Sequence, residues 1–266
     1  MKNLISFGDS YTTTNVDYET MISPGRDYTS SYGPNWIYHI CDATGMKSYN
    51  FAYGGATISS AITTPYKPDV ESFVSQVRRY FNPKMTKGPF TDWNSYNTLF
   101  GIWYGVNDNH PGQKNTDIDY EDYLDISFLI YHKLLEELYG YGARNFLLLN
   151  TPDIDTSPLA RENPSDTRKS DLLNFNRLLV ETAKEFYHDH PDINLFIYDT
   201  YTEFQYIYKN YKKYGITEVS EICPNLQYPD ETCLPPEKYY WGDSLHPTHV
   251  VHKAMTDDIV KFLKKI

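Results

Sequence analysis

Five short, largely apolar runs punctuate the chain, at residues 4–7, 48–52, 99–104, 146–150 and 195–198, each bounded by Gly, Asn, Asp or Pro. Runs of that length and character suit strands buried on both faces of a sheet. Between them, apolar residues recur at helical spacing. Tyr120, Tyr123, Ser127, Tyr131, Leu134 and Leu138 mark one helix; Leu172, Phe175, Leu179, Ala183 and Phe186 mark a second. Val251, Met255, Ile259 and Phe262 give the last helix a buried stripe. Strands that alternate with amphipathic helices predict an α/β fold, here a three-layer αβα sandwich with a central parallel sheet. Four segments, 17–35, 58–97, 153–169 and 209–240, are rich in Pro, Tyr, Asn and Ser and read as loops over one face of that sheet. No repeat or low-complexity linker interrupts the pattern, so residues 1–266 are expected to form one domain.

Catalytic groups in such a sheet gather at the carboxyl ends of the strands. Ser10 follows the first run in Phe7-Gly8-Asp9-Ser10, placing a hydroxyl just beyond a strand tip. A serine hydroxyl is a poor nucleophile until a base takes its proton. His246, in Asp243-Ser244-Leu245-His246-Pro247, is the candidate base. Asp243 lies three residues earlier, so one turn of chain brings its carboxylate to the imidazole, fixes the tautomer and stabilises the imidazolium. A tetrahedral intermediate also needs preorganised donors for its oxyanion. The Ser10 backbone N–H, a glycine N–H near Gly55 and the Asn107 side-chain amide come from three loops that converge there. These residues read as a serine esterase.

Asp9 and Asp108 read as structural carboxylates. His249 and His252 continue from His246 at three-residue intervals. The apolar stripe of their helix needs neither, so both read as solvated helix-face residues rather than metal ligands. With no Cys-x-x-Cys pair, tight His-Cys cluster or phosphate-binding Gly-rich loop, no metal and no cofactor is expected. The Gly-x-Ser-x-Gly elbow of α/β-hydrolases is also absent.

The formal net charge of −11 opposes a nucleic-acid partner, and no basic stripe is visible. No apolar run approaches the roughly 20 residues that span a bilayer, which argues against a membrane partner. Tyr is unusually frequent, with 26 residues. Flat rings with a polar tip suit sugar or polymer contact, although a genome biased toward Tyr, Asn and Lys would give the same count. Oligomeric state leaves no mark in the sequence.

Of three cysteines, Cys223 and Cys233 lie in a Pro-rich irregular stretch, ten residues apart. A disulfide there would close a short loop and contribute about 3 kcal/mol; two free thiols are the alternative. Cys41 reads as a buried helix residue. Only six residues precede Phe7, too few for a leader. The chain is therefore expected to be either a secreted protein whose leader has been removed, which the cysteine pair favours, or a cytoplasmic one.

Gly8-Asp9-Ser10, Gly55, Gly105-Val106-Asn107-Asp108 and Asp243-Ser244-Leu245-His246 occur in order along the whole chain. Together they resemble the four blocks of the SGNH (GDSL-type) hydrolase superfamily. Phe7-Gly8-Asp9-Ser10-Tyr11-Thr12, Asn50-Phe51-Ala52-Tyr53-Gly54-Gly55-Ala56-Thr57, the Cys223–Cys233 pair and Trp241-Gly242-Asp243-Ser244-Leu245-His246-Pro247 are similar to the fungal acetylesterases of carbohydrate esterase family 16. The resemblance implies a flavodoxin-like fold, a triad of Ser10, His246 and Asp243, and an oxyanion hole of Ser10, Gly55 and Asn107. It also implies acetyl release from plant cell-wall sugars. Tyr11 departs from the wider superfamily, which often has Leu there. The alternatives are a lipase or thioesterase with the same triad, which would need a sizeable apolar groove, and a non-catalytic sugar-binding protein on an esterase scaffold.

Overall fold

In the computed structural model, residues 1–109, 118–228 and 230–264 are described. Five parallel strands form the centre: β1 (Asn3–Gly8), β2 (Lys47–Asn50), β3 (Thr98–Trp103), β4 (Asn145–Leu149) and β5 (Asn194–Tyr198). Their order across the sheet is β2-β1-β3-β4-β5, with every neighbouring pair parallel. That is the flavodoxin-like doubly wound order, whose switch point lies between β1 and β3.

Side-chain alternation along the strands divides the core in two. Ile5, Phe7, Phe100, Ile102, Phe146 and Leu148 face one layer. That layer is built from α2 (Phe73–Ser75) with its π-helical continuation Gln76–Thr86, α3 (Tyr120–Gly140) and α5 (Arg168–Asp189). Leu4, Leu99, Trp103, Leu147 and Leu149 face the other. There α1 (Trp36–Thr44), α6 (Thr200–Lys209) and α7 (His249–Leu263) pack. A short α4 (Pro158–Glu162) sits in the loop after β4. Strands β1, β3 and β4 are buried along their whole length, as continuous apolar runs should be, whereas β5 is a partly exposed edge.

The five expected strands are all present, and each boundary falls within two residues of the sequence reading. The segment 58–97 is not a loop throughout: residues 73–86 are helical and bury Phe73, Gln76, Val77, Phe81 and Met85. Helix α6 also went unread. Phe262, expected in the buried stripe of α7, is 40% exposed and only edges onto Phe196. Cys41 lies in α1 but is partly exposed. In the segment 209–240, Tyr211–Tyr214 and Pro236–Lys238 form 3₁₀ turns, and Pro229 falls outside the described residues. Cys223 and Cys233 are joined as a disulfide. Among the described residues, no helix is long and apolar enough to cross a membrane.

Candidate active site

The site grows from the end of β1. Past Gly8 the chain turns sharply, and Asp9 holds the turn. Its carbonyl accepts from Thr12 N (3.1 Å) and Thr13 N (2.9 Å), and its Oδ1 accepts from Tyr11 N (2.9 Å). Ser10 is left half-buried at the first position of this turn.

From the far end of the sequence, Trp241 bridges Pro247, and Gly242 N donates to the His246 carbonyl (2.8 Å), closing residues 242–246 into a tight loop. Inside it, Asp243 Oδ1 accepts from Leu245 N and His246 N, both at 2.8 Å. The same carboxylate meets His246 Nδ1 at 2.8 Å through Oδ2 and 3.0 Å through Oδ1. The opposite ring nitrogen, Nε2, lies 2.8 Å from Ser10 Oγ. Ser10, His246 and Asp243 therefore form one continuous hydrogen-bonded chain. Burial alone would raise the Asp243 carboxyl. The His246 ring and the two backbone N–H groups outweigh burial and hold it below the usual carboxylate range.

The remaining expected site residues lie on neighbouring loops. Gly55 follows β2 with φ of +81°, a left-handed conformation that glycine adopts without strain. Asn107 follows β3, and its amide donates to the Ala56 carbonyl at 3.0 Å, tying its loop to the residue after Gly55. The same nitrogen is 3.4 Å from Asp9 Oδ2, beside Ser10. Asp9 and Asp108 are both buried, and burial raises each carboxyl to about 7. Asp108 Oδ1 accepts from Ile58 N (2.9 Å), fixing the loop beyond Gly55.

His252 corrects the sequence reading. It is 1% exposed rather than solvated, its ring lying edge-on to Tyr11 and Trp103 at centroid distances of 6.0 and 6.1 Å. Burial pushes its basicity well below the usual histidine range. Its place three residues before Met255 and seven before Ile259 put it on the buried stripe, a signal available in the sequence. His249 is half-buried. Among the described residues, no three His, Cys, Asp or Glu side chains come together as a metal site.

Three further residues escaped the sequence reading. Tyr11 Oη donates to the Leu245 carbonyl (2.6 Å), and its ring lies 5.7 Å from that of His246. Tyr32 Oη donates to Asp243 Oδ2 at 3.1 Å. Gln76 grips both backbone groups of Gly8, accepting from its N–H (3.1 Å) and donating to its carbonyl (2.9 Å).

Residues 4–259 match the family described as GDSL-like Lipase/Acylhydrolase. The chain belongs to that family. It is a carboxylic ester hydrolase with the family's α/β fold. It is 33% identical to an acetylesterase of Thermothelomyces thermophilus over 97% of this chain and 87% of that protein. It is also 27% identical to a GDSL esterase/lipase of Arabidopsis thaliana over 76% of this chain, an alignment that spans 61% of that relative. Among solved structures, an acetylxylan esterase from Geobacillus stearothermophilus superposes with a TM-score of 0.56 at 15% identity. The superposition covers 98% of this chain and 93% of the other, and it speaks for the fold.

Proposed function

We propose that this family member removes acetyl groups from acetylated plant cell-wall oligosaccharides of the xylo-oligosaccharide type, as a secreted enzyme whose residues 1–266 act as one catalytic domain. The observation that carries the mechanism is the hydrogen-bonded chain Ser10–His246–Asp243, with 2.8 Å at each link. The acetyl preference is supported by the 33% identical acetylesterase, and the sugar preference agrees with a likeness in fold to an acetylxylan esterase.

In this reading His246 Nε2 takes the Ser10 proton as Oγ attacks the acetyl carbonyl carbon. Negative charge develops on the former carbonyl oxygen and is met by the Ser10 and Gly55 N–H groups and the Asn107 amide. The 3.4 Å separation between Asn107 and Asp9 is long, so a developing oxyanion competes well for that amide hydrogen. Asp243 stays ionised opposite the imidazolium. As the intermediate collapses, His246 passes its proton to the departing sugar oxygen, leaving an acetyl ester on Ser10. Water, deprotonated by His246, then releases acetate and restores the serine.

A chain-length series of p-nitrophenyl esters, run beside acetylated xylo-oligosaccharides, tests the proposal. Acetate is expected to turn over fastest, with activity falling steeply at longer chains and free acetate released from the oligosaccharides. Faster turnover of octanoate or palmitate would instead identify a lipase or thioesterase. Ser10→Ala is expected to lower kcat at least 10³-fold with an unchanged unfolding midpoint; near-normal turnover in that variant would sink the mechanism.

A further inference from the structure

The Asp243 carboxylate has a partner outside its own loop. Asp243 Oδ1 is saturated by the N–H groups of Leu245 and His246, whereas Oδ2 shares the His246 ring with one other donor, the Tyr32 hydroxyl. Tyr32 reaches it from 211 residues away in sequence, out of the loop that precedes α1.

The fold forces Tyr32 into that position. Ser31 O accepts from His249 N (2.7 Å), hooking the segment onto the first residue of α7. On the other side, the hydroxyls of Thr29 and Ser31 both donate to the Gly33 carbonyl. With both neighbours fixed, Tyr32 takes φ of +55°, a left-handed conformation uncommon for a bulky residue. Strain of this kind persists where the surroundings over-determine it, and it gathers at functional sites. Those surroundings are specific. The Tyr32 ring packs against the cluster of Cys223, Leu226 and Tyr239 around the disulfide, and it lies flush on Gly242, where an added Cβ would come within 2.3 Å of it. The same segment also touches the nucleophile's turn, because the Ser30 hydroxyl donates to the Ser10 carbonyl.

We propose that Tyr32 is a positioning residue: its hydroxyl fixes the Asp243 carboxylate in the plane from which Oδ2 accepts the hydrogen bond of His246 Nδ1–H. This proposal rests on the acyl-transfer reading above. Because imidazolium forms only as the ester is attacked, a misaligned carboxylate affects the chemical step more than substrate binding.

Tyr32→Phe keeps the ring against Gly242 and the disulfide and removes only the hydroxyl. Its kcat for p-nitrophenyl acetate is expected to fall about tenfold with KM within about twofold, the pattern of an interaction made in the transition state. The His246 Nδ1 proton resonance is expected to shift in the same variant. Unchanged kcat and an unchanged resonance in folded Tyr32→Phe would overturn the proposal and leave Tyr32 a packing residue. If the Phe variant does not fold, Tyr32→Asn tolerates the left-handed backbone and cannot reach Asp243. It is expected to lose kcat similarly, and wild-type kcat in it overturns the proposal. A wild-type protein that hydrolyses no ester would instead mark failure of the acyl-transfer reading, and the resonance shift would still decide whether Tyr32 holds Asp243.

Discussion

Asp108 shows how one buried group couples the site to solution conditions. Burial lifts its carboxyl to about 7, against 3.8 for the free side chain, and its Oδ2 has no hydrogen-bond partner among the described residues. Between those values the folded chain keeps a proton that the unfolded chain has released. Its contribution to stability therefore falls as pH rises through that window, by up to about 1.4 kcal/mol per unit. Asp108→Asn cannot titrate. Urea unfolding of both proteins at about pH 5 and about pH 8 is expected to show the variant gaining on the parent by at least ~1 kcal/mol at the higher pH. A pH-independent gap would contradict the buried-proton account; Asp9 titrates in both proteins and largely cancels. At this scale the sequence was most informative for Ser10, Asp243 and His246, because each sits in a short block whose chemistry is local. Tyr32 was opaque because its partner lies 211 residues away and nothing nearby marks it among so many tyrosines; Tyr11, beside Ser10, stood out only as a departure from the wider superfamily, and its bond to Leu245, 234 residues away, did not show.

At the scale of elements, the helical segment 73–86 holds the strand tip that carries Ser10, the proposed nucleophile. Gln76 satisfies both backbone groups of Gly8 and also accepts from Tyr104 Oη (2.5 Å), all without exposure. Gln76→Leu keeps the volume and strands two buried polar groups, the Gly8 N–H and the Tyr104 hydroxyl, each costing about 1–3 kcal/mol, while the Gly8 carbonyl keeps Tyr53 N. A loss of about 3–5 kcal/mol in a denaturation curve is expected, together with a drop in ester turnover as the Ser10 turn loosens. A loss below ~1 kcal/mol would mean that water or a shifted side chain replaces the amide. The periodic pattern found β1, β3, β4 and the long α3 and α5, whose apolar faces repeat many times. It missed 73–86 because wide π-type turns and the internal Pro83 depart from the spacing it seeks, and because polar Gln76 faces the core. Helix α6, Thr-Tyr-Thr-Glu-Phe-Gln-Tyr-Ile-Tyr-Lys, was lost for another reason: its aromatic and β-branched residues favour strand locally, and its helix is imposed by packing on the second core.

Across the whole molecule, the Cys223–Cys233 bridge braces the loop that supports Tyr32, and through it Asp243. Thiol titration of the denatured, unreduced protein is expected to find one free thiol, Cys41, whose pKa burial raises to about 12. Three thiols would refute the bridge. Reduction is expected to cost about 3 kcal/mol of stability, with ester turnover falling before the fold is lost; simultaneous loss of both would show that the loop needs no brace.

Ser10 and His246, the proposed nucleophile and base, stand 236 residues apart, one following β1 and the other preceding α7. Residues 161–167 are exposed throughout and lie between them. Severed there, the chain yields one fragment with Ser10, Gly55 and Asn107 and another with Asp243 and His246. Neither fragment owns the whole of the proposed relay, so on that reading hydrolysis of a chromogenic acetate becomes a direct readout of their reassembly. On the ribosome the same separation sets an order: Ser10 is made 236 residues before His246, and the proposed relay closes only once the later loop has docked.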